Sequence, residues 1–150
     1  MPLSTLFAAF LDITTPPSQT LLEHLAELSS DRTQQKQMRQ LAKDSKKYQA
    51  WRKFNWPSLL EVLQQFSSVK GDVSLLLLEL PLMQPRYYSV SSSPLTKEQT
   101  FDLTVGIVTY KTQDSQGPLH QGLCTTYLNN LSPKSGCLFF IRRYSKALQI

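Results

Sequence analysis

The sequence predicts an α+β protein with its helices first and its strands last, and three observations carry that prediction. Up to about residue 80, apolar residues recur at helical spacing behind capping-type starts. Between residues 101 and 111 the period changes to strict alternation rich in β-branched side chains. Prolines and serines gather where one pattern gives way to the other. The chain therefore divides into a helical subdomain over 1–80 and part of an antiparallel β structure over 81–150.

Composition sets the outer limits. The 150 residues suit one domain, and 41% hydrophobic residues are enough for a sizeable core. The net charge of +5 is spread along the chain and suits an anionic cofactor or an acidic partner without demanding nucleic acid. Cys124 and Cys137 are the cysteines and His24 and His120 the histidines, so no metal-ligand spacing and no disulfide framework emerges. Two free thiols fit a reducing, cytoplasmic setting.

The first element is expected to be a short buried helix within Met1 to Ile13. No basic residue precedes its apolar core and it is too short to span a bilayer, which argues against a signal peptide or an anchor. Pro16-Pro17 ends it. Thr20-Leu21-Leu22-Glu23 has capping-box spacing, and Leu21, Leu22, Leu25 and Leu28 share a face of the next helix.

From Arg32 to Lys53 eight basic residues stand against Asp44 alone. Met38, Leu41 and Ala42 would anchor a helix there, with Tyr48, Trp51, Phe54 and Trp56 clustering near its end. Such a stretch suits single-stranded nucleic acid or a calmodulin-like partner, but a solvated helical face has the same composition and is the plainer reading. Pro57-Ser58-Leu59-Leu60-Glu61 repeats the capping-box spacing ahead of Val62, Leu63 and Phe66. The run Val73 to Leu80 lacks a period, and its place after helices makes it a buried helix.

Leu82 to Pro94 is expected to be an extended strand that delivers Arg86, Tyr87, Tyr88 and Ser89. Arg86 offers a five-donor planar fork suited to phosphate, Tyr88 a stacking surface and Ser89 a hydroxyl. Alternation puts Arg86 and Tyr88 on one face and Tyr87 and Ser89 on the other. An edge strand with a solvated arginine and half-buried tyrosines explains the same residues without a ligand. Phe101 to Lys111 is the clearest strand, with Gly106 marking close approach by another backbone or a ligand. Gly122 to Leu131 reads as a glycine turn opening a short helix whose free amides suit a phosphate, or whose Thr125 or Thr126 acts only as a cap. Cys137 to Arg142 reads as a last strand.

Two of these motifs resemble a known superfamily. Arg86-Tyr87-Tyr88-Ser89 resembles the Arg-x-Tyr-Ser/Thr signature of the ferredoxin-NADP reductases, and Gly122-Leu123-Cys124-Thr125 resembles their second flavin motif. Ile13-Thr14-Thr15-Pro16-Pro17, Gln84 to Pro94, and Gln116-Gly117-Pro118-Leu119-His120-Gln121-Gly122-Leu123-Cys124 are similar to the reductase half of nitric oxide synthases. NADPH-cytochrome reductases share the first signature but typically not the Gly-Pro-Leu-His approach.

The resemblance implies a helical connecting subdomain followed by part of an antiparallel FAD-binding β-barrel. It implies that Arg86 pairs with the FAD pyrophosphate, that Tyr88 stacks on the isoalloxazine, and that Ser89 acts catalytically beside the reactive nitrogen. Thr104, Gly106 and Tyr110 would flank the ribityl and adenosine parts, and Gly122, Leu123, Cys124 and Thr125 would hold the pyrophosphate. NADPH, FMN and haem would enter only in a full-length enzyme. The basic helices 32–53 would then dock an acidic FMN-binding module.

The family's first barrel strands, FMN module and nicotinamide domain have no counterpart in these residues, and the tail from Arg143 lacks the aromatic and proline that usually lead onward. A fragment or truncated product, inactive alone, is therefore expected. The alternatives are a non-catalytic paralogue that regulates a full-length homologue by docking or dimerising with it, and a fragment of a cytochrome- or sulfite-type reductase.

Overall fold

The computed structural model describes residues 2–93, 95 and 99–142. Among them are seven helices and one two-stranded antiparallel sheet, an α+β mixture whose open sheet is consistent with part of a barrel. The helices are α1 (Leu3–Ala9), α2 (Gln19–Glu27), α3 (Arg32–Lys43), α4 (Ser45–Asn55), α5 (Leu59–Gln65) and α6 (Val73–Glu79), with α7 (Leu123–Asn129) after the sheet. The strands are β1 (Thr109–Lys111) and β2 (Leu119–Gln121), paired with Tyr110 opposite His120.

Helix α2 is the centre of the core. Its Leu21, Leu22, Leu25 and Ala26 are buried with Met38 from α3, Tyr48 from α4, and Leu59, Val62 and Phe66 around α5. Side chains stitch the helix ends together as well as caps do. Gln19 Nε2 donates to the Leu41 and Ala42 carbonyls at 3.2 and 2.8 Å, and the buried Tyr48 hydroxyl donates to Pro17 O at 2.9 Å. His24 Nδ1 lies 3.3 Å from Glu79 Oε1, joining α2 to α6.

The expected helices form, with four corrections. Helix α2 is capped by Ser18, whose hydroxyl accepts from Leu21 N–H, and not by Thr20. The basic stretch is two helices, because the Asp44 carboxylate caps α4 by accepting from Lys46 and Lys47 amides just where α3 stops. Helix α1 has no buried residue; Leu6 and Phe7 are only partly covered, and full burial begins at Leu11. Helix α6 is also not buried, for Leu78 is exposed while Leu75 and Leu76 lean on the core and Leu80 closes it. The capping box of α5 is complete, with Ser58 Oγ and Glu61 exchanging hydrogen bonds.

The strand expectations are corrected more heavily. Residues 82–90 form no ladder strand, and their β pairing is confined to the isolated bridges Leu82 to Leu11 and Val90 to Leu103. Of the alternating run 101–111, only Thr109–Lys111 is paired. Residues 137–142 form no strand, and Leu138, Phe139, Phe140 and Ile141 are exposed. A strand, unlike a helix, depends on a neighbour for its backbone hydrogen bonds, and these segments lack that neighbour among the described residues. Pro94 and the tail after Arg142 lie outside the described residues. Strand β2 was not expected, although Gly117 between two polar-apolar runs is a hairpin signal.

Candidate functional site

The Arg86–Ser89 segment is held at both ends and free between. At its start Asp12 N–H donates to Pro81 O at 2.8 Å and Met83 N–H to Phe10 O at 2.7 Å. At its end Ser91 N–H and Oγ both reach Asp102 O, at 2.8 and 3.0 Å. Between these pins Arg86 is exposed, and its Nη1 donates to Gln84 O at 3.3 Å. Tyr87 turns its ring edge-on to Phe140, 5.9 Å away, while Tyr88 goes to the other motif.

The second motif is built on the hairpin. Gly122 N–H donates to Val108 O at 2.8 Å, and Val108 N–H donates to Thr125 Oγ1 at 3.2 Å. Thr125 Oγ1 in turn donates to Gly122 O at 3.1 Å. A Cβ at position 122 would meet both Val108 Cβ and Thr125 Oγ1 at 2.8 Å, so this contact requires glycine. Gly117 is required for the same kind of reason, since a Cβ there would lie 2.7 Å from Thr112 Oγ1. Thr125, buried, thus locks the turn onto β1, a role distinct from capping, because Gly122 is the N-cap of α7.

The two motifs meet at Tyr88 and Cys124. The Cys124 thiol beside the Tyr88 phenol raises the Tyr88 pKa above its ordinary value. Partial burial and the nearby thiol's charge push the same way, and the Arg86 guanidinium opposes them. Arg86, Tyr88 and Cys124 therefore form one cluster, with Gly122, Leu123 and Thr125 beside it. Ser89, Thr104 and Gly106 are exposed and stand outside that cluster. No protein atom would lie within 4 Å of a Cβ at Gly106, so the expected approach of another backbone is not found there. Tyr110 is committed to stacking on His120, with ring centres 5.2 Å apart and planes at 12°.

Two features escaped the sequence reading. One is the joint role of His120, whose Nε2 lies 3.6 Å from Glu61 Oε1. The other is a groove between α3 and α4 lined by Lys36, Arg39, Lys43, Lys46 and Lys47, created by the break at Asp44. No metal-holding group of three or more His, Cys, Asp or Glu occurs among the described residues. No helix there is long and apolar enough to cross a membrane.

An arginine fork with unspent donors, a tyrosine and a glycine turn follow a helical core, a set of groups suited to a planar, anionic cofactor. The family model described as "FAD binding domain" matches residues 1–127, and the chain belongs to that family. Within it the chain is similar to nitric oxide synthases. It is 49% identical over 138 residues to "Nitric oxide synthase" of Bombyx mori, covering 92% of this chain and 11% of that protein. It is 47% identical over 133 residues to "Nitric oxide synthase 3" of Sus scrofa, covering 89% and 11%. With "Nitric oxide synthase, inducible" of Oryctolagus cuniculus it shares 44% over 136 residues, covering 91% and 27%. The chain thus spans only a small part of the length of these relatives.

Proposed function

We propose that this chain is the FAD-binding and connecting segment of a nitric oxide synthase-type diflavin reductase. In that reading 1–80 is the connecting subdomain and 81–150 part of the FAD barrel, and the whole enzyme is cytoplasmic. The reading is supported by the family match over residues 1–127 together with the nearness of Tyr88 to Cys124, which sets the two separate motifs side by side. Bound FAD would supply the passage from two-electron hydride chemistry to one-electron transfer, drawing on NADPH and delivering to FMN and on to haem in the full-length protein.

The chain's own residues would hold the cofactor. Arg86, whose described hydrogen bond uses Nη1 alone, has guanidinium N–H groups left for a pyrophosphate. Tyr88 would offer its ring face to the isoalloxazine, with its hydroxyl beside Cys124. Ser89 would donate a hydrogen bond at the reactive edge, acting catalytically there. Leu123 and Cys124 would offer backbone amides, and Gly122, hydrogen-bonded to Val108, and Thr125 would hold their turn in place. Thr104, Gly106 and Tyr110 would flank the ribityl and adenosine parts. The α3–α4 groove, with five cations around Asp44, suits the acidic face of an FMN-binding module of the same enzyme.

A second reading, a non-catalytic paralogue that docks on a full-length homologue, is favoured by the exposed apolar side chains of Leu138 to Ile141. A cytochrome- or sulfite-type origin accounts less well for Gly117-Pro118-Leu119-His120. Titration of the 150-residue protein with FAD, followed by flavin fluorescence, separates these readings. Arg86→Ala is expected to weaken binding about tenfold or more, the worth of one charge-assisted contact. Tyr88→Ala is expected to change the bound-flavin spectrum. Superimposable curves for the wild type and Arg86→Ala would overturn the proposed pyrophosphate contact.

A further inference from the structure

Glu61 divides its carboxylate between two tasks. Oε2 accepts from Ser58 N–H and Oγ, both at 2.8 Å, and so closes the α5 capping box. Oε1 points instead at His120 Nε2, 3.6 Å away across the boundary between helices and sheet. That nitrogen is buried and has no hydrogen-bond partner among the described residues, which leaves Glu61 as the acceptor facing it, and the His120 side chain is only 14% exposed. On its other face the imidazole lies flat on Tyr110, its cross-strand partner.

His120 is therefore gripped by α5 and β1 while sitting two positions before Gly122. Strand β2 runs straight into the turn that Val108 and Thr125 lock, so a shift of His120 shifts Gly122. The hairpin tip is tied separately, by Gln113 N–H to Phe54 O at 3.0 Å and Gln113 Nε2 to Asn55 Oδ1 at 3.2 Å. The tip contact fixes the loop, and the stem contact is the one beside the glycine turn.

We propose that His120, clamped between Glu61 and Tyr110, is a positioning residue that sets the Gly122–Thr125 turn for FAD by tying it to the helical core. The inference rests on the proposed FAD site, and it adds residues that never touch the cofactor. Truncating either partner loosens the turn. Because both act through one contact, losing the second costs nothing more.

The test uses the full 150-residue chain with His120→Phe, which keeps the stack on Tyr110, Glu61→Gln, which keeps an acceptor for Ser58, and the double variant. His120→Gln, whose amide nitrogen can stand near Nε2, serves as the conservative replacement. Without flavin, amide hydrogen exchange over 122–126 is expected to quicken about fivefold in each single variant and no further in the double, as coupled neighbours require. FAD affinity is expected to fall about as much, with an altered visible circular dichroism of the bound flavin, and His120→Gln to recover most of both. Unchanged exchange, additive effects, or faster exchange with FAD affinity intact would each overturn the proposal. A wild type that takes up no FAD overturns the cofactor role together with the parent reading, while the exchange data still decide whether the pair holds the turn.

Discussion

Every buried hydrophobic residue of the core lies between Leu11 and Leu80, whereas beyond Leu80 the one buried position among the described residues is the polar Thr125. The helical half holds the stability and the later half holds the candidate chemistry. Helices close their backbone hydrogen bonds within themselves and need neighbours only for one apolar face. Extended segments need neighbours for backbone and side chains alike. Residues 82–90 and 101–108 are held by bridges, two pinned ends and the hairpin, which fixes Arg86 and Tyr88 in place without burying them.

The largest break in this contrast comes from the core. Phe66, fully packed beside Leu21, Leu22 and Val62, is expected to cost about 3–5 kcal/mol on truncation to alanine, most of what a small domain has. Phe140→Ala, at an exposed position, is expected to stay within about 0.5 kcal/mol. Urea unfolding followed at 222 nm measures both, and equal losses would mean that the later half shares the core after all.

Gly122→Ala probes a tightly packed point of the later half. The added methyl meets Val108 Cβ and Thr125 Oγ1 at 2.8 Å, so strand or turn must move, at a cost of about 1–3 kcal/mol. The loss should appear as faster exchange of the Gly122 and Val108 amides, with the helical unfolding transition unchanged. A shift of that transition instead would show that the two halves unfold as one. Ser58→Ala should cost the helical half about 1 kcal/mol through its lost N-cap. An unchanged urea midpoint would deny the cap that worth.

How much could be read beforehand follows from the same contrast. The α5 capping box and the apolar face of α2 were legible because their causes lie within four residues of one another. Ser18 displaced Thr20 as the α2 cap because buried Pro16-Pro17 fixes the entry two residues earlier than the apolar pattern suggests. Asp44, the sole acid in its stretch, was a visible cap that the run of basic residues obscured. Alternation at 101–111 correctly marks strand propensity but says nothing of pairing, and pairing decided that only Thr109–Lys111 joins a ladder. At the candidate site the residue types of Arg86, Tyr88 and Gly122 were readable. The approach of Tyr88 to Cys124 and of His120 to Glu61 was not, because each joins residues that only the fold brings together.

The smallest expected effect tests whether the two flavin motifs meet in solution. The neighbouring Cys124 thiol raises the Tyr88 pKa, and partial burial adds to it against the pull of Arg86. A phenol with a folded pKa above its unfolded value favours folding through its neutral form. That contribution is complete below the unfolded pKa of about 10 and disappears as pH rises through the folded one. Absorbance titration of tyrosinate should therefore show one tyrosine, absent in Tyr88→Phe, ionising later than the ordinary value. Cys124→Ala should bring that step back down, because the thiol that holds it up is gone. Arg86→Ala should move it up, because an opposing positive charge is gone. Opposite responses to the two substitutions would place Arg86, Tyr88 and Cys124 in one cluster without any flavin present. A step that ignores both would separate the motifs, and the later half would then be an extended surface with no site formed in advance.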